Sequence, residues 1–228
     1  MSAQPFVVIL VRHAEPVSPG TAGYGEADRP LTAAGLAVAE RLAETLAAEA
    51  PVAIYSSPYL RARQTVAPLA RLRGLVIEEI ADLRERLLSV DALPNWREEL
   101  RRSWSDFAYA APGGESGAGA QMRALAALEQ IRQRHRIGTV VAASHGNLIA
   151  LALNAFVPSI GFDFWAAIPM PAVYRIEFAQ DRVGVAGSGL SVRSMVQEGV
   201  ANGVAGIPEV ASRSACSTIP ASGIPTRK

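Results

Sequence analysis

Apolar positions fall along the chain in two kinds of run. Residues 6–11 (FVVILV) form an unbroken apolar stretch rich in β-branched side chains, the pattern of a strand covered on both faces. Shorter runs at 52–55 and at 139–143 (TVVAA) read the same way. Residues 75–80 suggest a further strand, and 173–178 alternate as a strand does. Between these lie helical patterns. Thr32 precedes Leu36, Ala39, Leu42, Ala43 and Leu46, spaced by threes and fours. Residues 59–73 predict a helix kinked at Pro68, and 91–107 another. The latter has an apolar stripe of Trp96, Leu100, Trp104 and Phe107, expected to pack on the core rather than line a ligand. Arg97, Glu98, Glu99, Arg101 and Arg102 form its polar side. After a Pro-Gly-Gly break at 112–114 come a helix to about residue 136 and a largely apolar one over 147–155. Strands separated by helices predict an α/β fold: a three-layer domain with a mainly parallel central sheet flanked by helices.

The character changes near residue 180. Phe178 is the last aromatic, and the remainder of the chain is rich in Gly, Ser, Ala and Pro. One domain is therefore expected over 1–180, followed by a low-complexity, disordered tail over 181–228. No internal repeat is visible.

A net charge of +1 gives no reason to expect a nucleic-acid or membrane partner. Lys228 is the single lysine, so the remaining basic residues are all arginines and an arginine alone is weak evidence for an anion site. Cys216, the one cysteine, allows neither an intramolecular disulfide nor a cysteine metal cluster. The N-terminus lacks a secretory layout, and no stretch approaches the roughly 18 apolar residues of a membrane span. A cytoplasmic enzyme is the default expectation.

Chemistry concentrates at strand ends. The chain has three histidines, and two of them, His13 and His145, directly follow or nearly follow buried strands. Ligands of open α/β sheets bind outside the carboxyl ends of the strands, so two histidines at such ends can meet over one pocket. His135, in Arg-Gln-Arg-His-Arg, is expected at the solvated surface. Arg12 adjoins His13, and Gly146-Asn147 opens a helix whose free N–H groups favour an anion. Arg61 falls in the first turn of the helix that follows Ser57-Pro58. Guanidinium groups grip phosphate oxygens bidentately, and a neutral imidazole can attack phosphorus. Glu85, just beyond a strand, is the best-placed carboxylate to supply a proton to a leaving oxygen.

These pieces resemble the histidine phosphatase superfamily, the phosphoglycerate-mutase-like proteins. Arg12-His13-Ala14-Glu15, Ser57-Pro58-x-x-Arg61-Ala62-x-x-Thr65, Glu85, Pro112-Gly-Gly-Glu115-Ser116 and Ser144-His145-Gly146-Asn147 follow the family order across about residues 6–178. The resemblance implies that His13 becomes phosphorylated, that Arg12 and Arg61 bind phosphate together with the second histidine, His145, which is also catalytic, and that Glu85 is the general acid/base; the N–H of Gly146 at the helix start is expected to join the phosphate site. It implies no metal and no organic cofactor, a small phosphorylated metabolite as substrate, and leaves a homodimer open. The variable insertion at about 86–112 would roof the pocket. Where many mutase members carry an asparagine that assists phosphate binding, this chain has Pro19, which weakens a mutase reading. A phosphomutase and a non-catalytic phosphate-binding module are the alternatives. A nucleotide P-loop is excluded, since no lysine is placed for it.

Overall fold

The unbroken apolar run at 6–11 serves two cores at once. In the computed structural model, which describes residues 5–179 and 182–196, this run lies in β1 (Phe6–Arg12). Val7, Ile9 and Val11 face one side of a sheet, and Phe6, Val8 and Leu10 face the other. On the first side they meet Ala43 and Leu46 of α1 (Ala33–Ala47) and Ala62, Val66 and Leu69 of α2 (Leu60–Arg73). On the second they meet α4 (Gly117–Arg134) through Ala124, Leu128 and Ile131, and α5 (Gly146–Phe156) through Leu148, Ile149 and Leu153. Period-two alternation with both faces covered gives three layers.

Among the described residues the sheet has seven strands, in the order β3-β2-β4-β1-β5-β6-β7. β3 (Ile77–Glu79), β2 (Ala53–Ser56), β4 (Gly138–Ser144) and β1 are mutually parallel. β5 (Ala172–Phe178), β6 (Arg182–Gly187) and β7 (Leu190–Val196) continue the sheet as antiparallel neighbours. Polar caps set helix starts: Thr32 accepts the N–H of Gly35 at 2.9 Å, and Ser116 that of Gly119 at 3.0 Å. α2 runs through Pro68, which is buried, and ends where Gly74 takes φ 64°, a left-handed position that glycine occupies without strain. Among the described residues no helix is long and apolar enough to cross a membrane.

Two expectations need correction. Residues 182–196, expected to lie in a disordered tail, pair as β6 and β7, and Val183 and Val185 are buried in the main core. The physical reason is that β5 offers a free edge, and two valines at period two suffice to seat a strand there. The rest of the expected tail, 197–228, lies outside the described residues. The second correction concerns the stripe on α3 (Trp96–Ser105). Leu100 is buried and Trp104 packs against the core, but Trp96 is 45 % exposed and meets Trp165 of α6 (Phe162–Ala167) edge-on at 6.3 Å.

Candidate active site

Strand register brings the site together. Arg12, the last residue of β1, is opposite Ser144, the last of β4, while Ser56, the last of β2, is opposite Ala143. Backbone bonds extend each pairing by one residue: His13 N–H donates to Ser144 O at 3.1 Å, and Ser57 N–H to Ala143 O at 2.8 Å. His13, His145 and Ser57 therefore emerge side by side from three adjacent strands. The two imidazoles lie 5.2 Å apart between centroids, edge to face.

His13 is 6 % exposed, and its ring is pinned at both nitrogens. Nδ1–H donates to Ala14 O at 2.7 Å, which assigns the proton to Nδ1 and leaves a lone pair on Nε2. That lone pair accepts the Nε–H of Arg61 at 3.2 Å. Burial, first, and then the charges of Arg61, Arg12 and Arg29 outweigh the Ala14 bond and push the imidazole down to about 3. His13 is thus a neutral base aimed at a guanidinium. His145 is fully buried, and burial, followed by the neighbouring His13 and arginines, holds it well below its ordinary value. Its Nε2 bonds Ser57 Oγ at 2.8 Å, while its Nδ1 is buried without a partner. Tyr59 meets the His145 ring edge-on at 5.0 Å and lies under Arg61, whose Cζ is 4.9 Å from its centroid.

The arginines reach the same place from different elements. Arg12 leaves β1 and donates from Nη1 to Ile168 O and, at 3.3 Å, to Pro169 O, while its Nε is buried without a partner. Burial lowers its pKa, opposed by the charge of Glu85, yet a guanidinium stays charged at any working pH. Gly146 makes room for it. A Cβ built there would lie 3.0 Å from Arg12 Nε and 3.1 Å from its Cζ, so a larger residue at the start of α5 would make that guanidinium shift by a few tenths of an ångström.

Glu85 sits beneath the start of α5. Its carboxylate accepts the N–H of Leu148 at 3.1 Å, of Asn147 at 3.3 Å and of Arg86 at 2.9 Å. The anion expected at this helix N-terminus is thus the protein's own carboxylate, held by helix N–H groups that lack an intrahelical partner. Glu85 also acts electrostatically on both Arg12 and Arg61. Pro112-Gly-Gly-Glu115-Ser116 serves as a brace. Glu115 grips Arg123 at 2.6 Å and 2.8 Å, and Arg123 in turn holds Asp82 O at 2.7 Å and Arg84 O at 2.8 Å, fixing the segment that presents Glu85.

All of the residues singled out from the sequence (Arg12, His13, Arg61, Glu85, His145, Gly146) therefore belong to one cluster. His135 does not join it, and is half-buried rather than freely solvated, because its Nε2 bonds Tyr55 Oη at 2.8 Å. Sequence reasoning missed Glu26 and Arg29. Arg29 is 7 % exposed and holds the Glu26 carboxylate with Nε at 2.9 Å and Nη2 at 2.8 Å, and Glu26 in turn contacts Arg61. Their loop shows only Gly and Pro punctuation, and with arginine as the general cation nothing marks Arg29 beyond its place beside Pro30 and the buried Leu31. Among the described residues no group of three or more His, Cys, Asp or Glu is arranged to hold a metal ion. The polar atoms gathered here are chiefly imidazole and guanidinium nitrogens, with the carboxylates of Glu85 and Glu26 beside them.

Known proteins resemble this chain in sequence and in fold. The chain is 32 % identical over 157 residues to the metal-independent phosphoserine phosphatase of Arabidopsis thaliana, a match covering 62 % of this chain and 65 % of that protein. It is 33 % identical over 148 residues to phosphoserine phosphatase 1 of Hydrogenobacter thermophilus, covering 60 % and 70 %. The chain thus spans about two thirds of the length of these curated relatives. Among solved structures, Bacillus stearothermophilus YhfR superposes with a TM-score of 0.64 at 29 % identity, over 81 % of this chain and 96 % of that one. A mycobacterial glucosyl-3-phosphoglycerate phosphatase shares the fold, with a TM-score of 0.62 at 23 % identity over 76 % and 91 %. The model of the histidine phosphatase superfamily (branch 1) matches residues 8–188. With that match over most of its length, the chain belongs to branch 1 of the histidine phosphatase superfamily.

Proposed function

We propose that this protein is a phosphomonoesterase that hydrolyses a small phosphorylated metabolite through a phosphohistidine on His13. The observation that carries the reading is the fixed tautomer of His13, with Nδ1–H tied to Ala14 O at 2.7 Å and the Nε2 lone pair facing the Arg61 guanidinium at 3.2 Å. A phosphoryl group that displaces this contact meets a nucleophile and a cation together. Arg12 and Arg61 neutralise its oxygens, and the unpartnered Nδ1 of His145 and Nε of Arg12 are further buried polar atoms that a ligand would satisfy.

The steps balance without an added reactant other than water. His13 Nε2 attacks phosphorus, the bond from phosphorus to the ester oxygen breaks, and Glu85 in its protonated form gives that oxygen its proton. Water then attacks the phosphohistidine, Glu85 takes the proton back, the P–N bond breaks and neutral His13 returns. The named relatives make phosphoserine the first substrate to assay.

Rapid quenching with labelled substrate tests the proposal. An acid-labile, base-stable phosphoprotein is expected in the wild type and none in His13→Ala. Label retained by His13→Ala would remove the nucleophile assignment. Loss of label to water, rather than its transfer to a second metabolite, separates a phosphatase from a mutase.

A further inference from the structure

The loop between β1 and α1 carries a charged pair that the proposed reaction does not use. Arg29 is anchored by Nη1–H to Val17 O at 2.8 Å and grips both oxygens of Glu26. Glu26 also engages Arg61, whose Nη2–H donates to Glu26 Oε1 at 2.8 Å and whose Nη1–H donates to Glu26 O at 2.6 Å. Counting the bond to His13, all three nitrogens of Arg61 are committed. The two arginine side chains are 8 % and 2 % exposed, whereas that of Glu26 is 55 % exposed. One half-exposed carboxylate therefore offsets two buried guanidinium charges.

We propose that Glu26 is a built-in counter-anion of the phosphate site, competing with the phosphoryl group for Arg61 and so weakening the hold on substrate and released phosphate. This rests on the reading of Arg61 as a phosphate ligand. A dianion among Arg12, Arg29 and Arg61 without such an opponent would be held strongly after the P–N bond breaks, and tight ground-state binding does not speed turnover. Although burial alone would raise it, the hydrogen bonds from Arg29 and Arg61 and their charges keep the Glu26 carboxyl below its ordinary range. The opposing charge is accordingly present at neutral pH. Being half exposed, it can swing toward water when phosphate arrives, leaving Arg29 on its Val17 anchor.

Glu26→Gln preserves an oxygen that can accept from Arg61 Nη2 but removes the charge. Calorimetric titration of inorganic phosphate into each protein is the primary measurement. One unit charge a few ångströms from a dianion in a half-exposed setting corresponds to roughly a tenfold effect after screening, so phosphate should bind about tenfold more tightly to Glu26→Gln. The KM for p-nitrophenyl phosphate and the inhibition constant of phosphate should fall together, with kcat unchanged or lower. Equal phosphate affinity in the two proteins would overturn the counter-anion while leaving the phosphate site standing. Weaker binding to Glu26→Gln would overturn it in favour of a role in aligning Arg61. Phosphate binding to neither would overturn the Arg61 reading as well. If Glu26→Gln does not fold, as read by its melting curve, Glu26→Asp replaces it. The shorter carboxylate withdraws from Arg61, and an intermediate gain in phosphate affinity is expected, with no gain counting against the proposal.

Discussion

Replacing His13 by asparagine should flatten the acid side of the stability curve. The cause is a proton, not a contact. Burial moves the imidazole from its ordinary 6.5 to about 3, so between those values the unfolded chain binds a proton that the folded chain refuses. Stability must rise with pH across this window, being fully present above 6.5 and lost as pH falls toward 3. Between pH 7 and pH 5 the loss assignable to His13 is about 2 kcal/mol, or about 4–8 °C in Tm for a domain of this size. Asparagine does not titrate and offers an N–H toward Ala14 O. His145 shifts in the same direction but is common to both proteins, and so are the carboxylates. Melting curves of wild type and His13→Asn at half-unit pH steps give the difference. The wild type should lose about 4–8 °C more than the variant between pH 7 and pH 5. Parallel curves would show that His13 protonates as readily in the folded chain as outside it, and the picture of a desolvated neutral nucleophile would be wrong. By the same reasoning kcat/KM should show no acid limb from His13 near pH 6.5, where only the second ionisation of the substrate phosphate, at about 6, should register.

Glu85→Gln should cripple hydrolysis of an alkyl phosphate by roughly 10²- to 10⁴-fold while largely sparing p-nitrophenyl phosphate, whose leaving group needs no proton. Equal losses on both substrates would point instead to its bonds with Asn147 and Leu148, and so to a structural role. Gly146→Ala places a methyl 3.0 Å from Arg12 Nε, so kcat/KM should fall roughly tenfold to a hundredfold with little change in Tm, and an unaffected rate would mean that Arg12 is free to move. Truncation after residue 180 removes β6 with the buried Val183 and Val185, and at about 1.5–3 kcal/mol for each buried valine it should lower Tm markedly; an unchanged midpoint would show that these strands add nothing to the fold.

Most of the candidate cluster was legible because strand ends carry it. A buried strand such as residues 6–11 announces itself by composition, and the residue after it is then placed within one position, which is how Arg12, His13 and His145 could be found without a structure. Arg61 and Glu85 were legible as candidates from their places just beyond strand ends, and the order of the motifs gave them their roles. Glu26 and Arg29 were not legible, because the loop that holds them has no periodicity and Arg29 is held in place by the Val17 carbonyl, a backbone contact that no sequence pattern marks. β6 and β7 escaped for another reason. In RVGVAG only two valines mark the buried face, too few to stand out from a Gly- and Ala-rich background. The turn at Gly187–Gly189 was the available sign, both glycines having positive φ. α6 is a six-residue helix, too short for a helical period to register.

The in-line ends of β1, β4 and β2 also bear on how the molecule is made. His13 and His145 come from opposite ends of the domain sequence and become neighbours only when Phe6 to Arg12 has zipped against Gly138 to Ser144 in the correct register. A slip of one residue would turn every side chain of β1 to the other face. Pairings between such distant segments close large loops and form late in folding. The centre therefore has no partial version on a nascent chain: the residues up to α4 can acquire helices and short strands while still lacking His145, its helix and the N–H groups that hold Glu85. During synthesis, and during refolding from denaturant, recovery of phosphate-site chemistry should lag behind recovery of helical signal, making enzymatic competence a readout of the long-range pairing of β1 with β4.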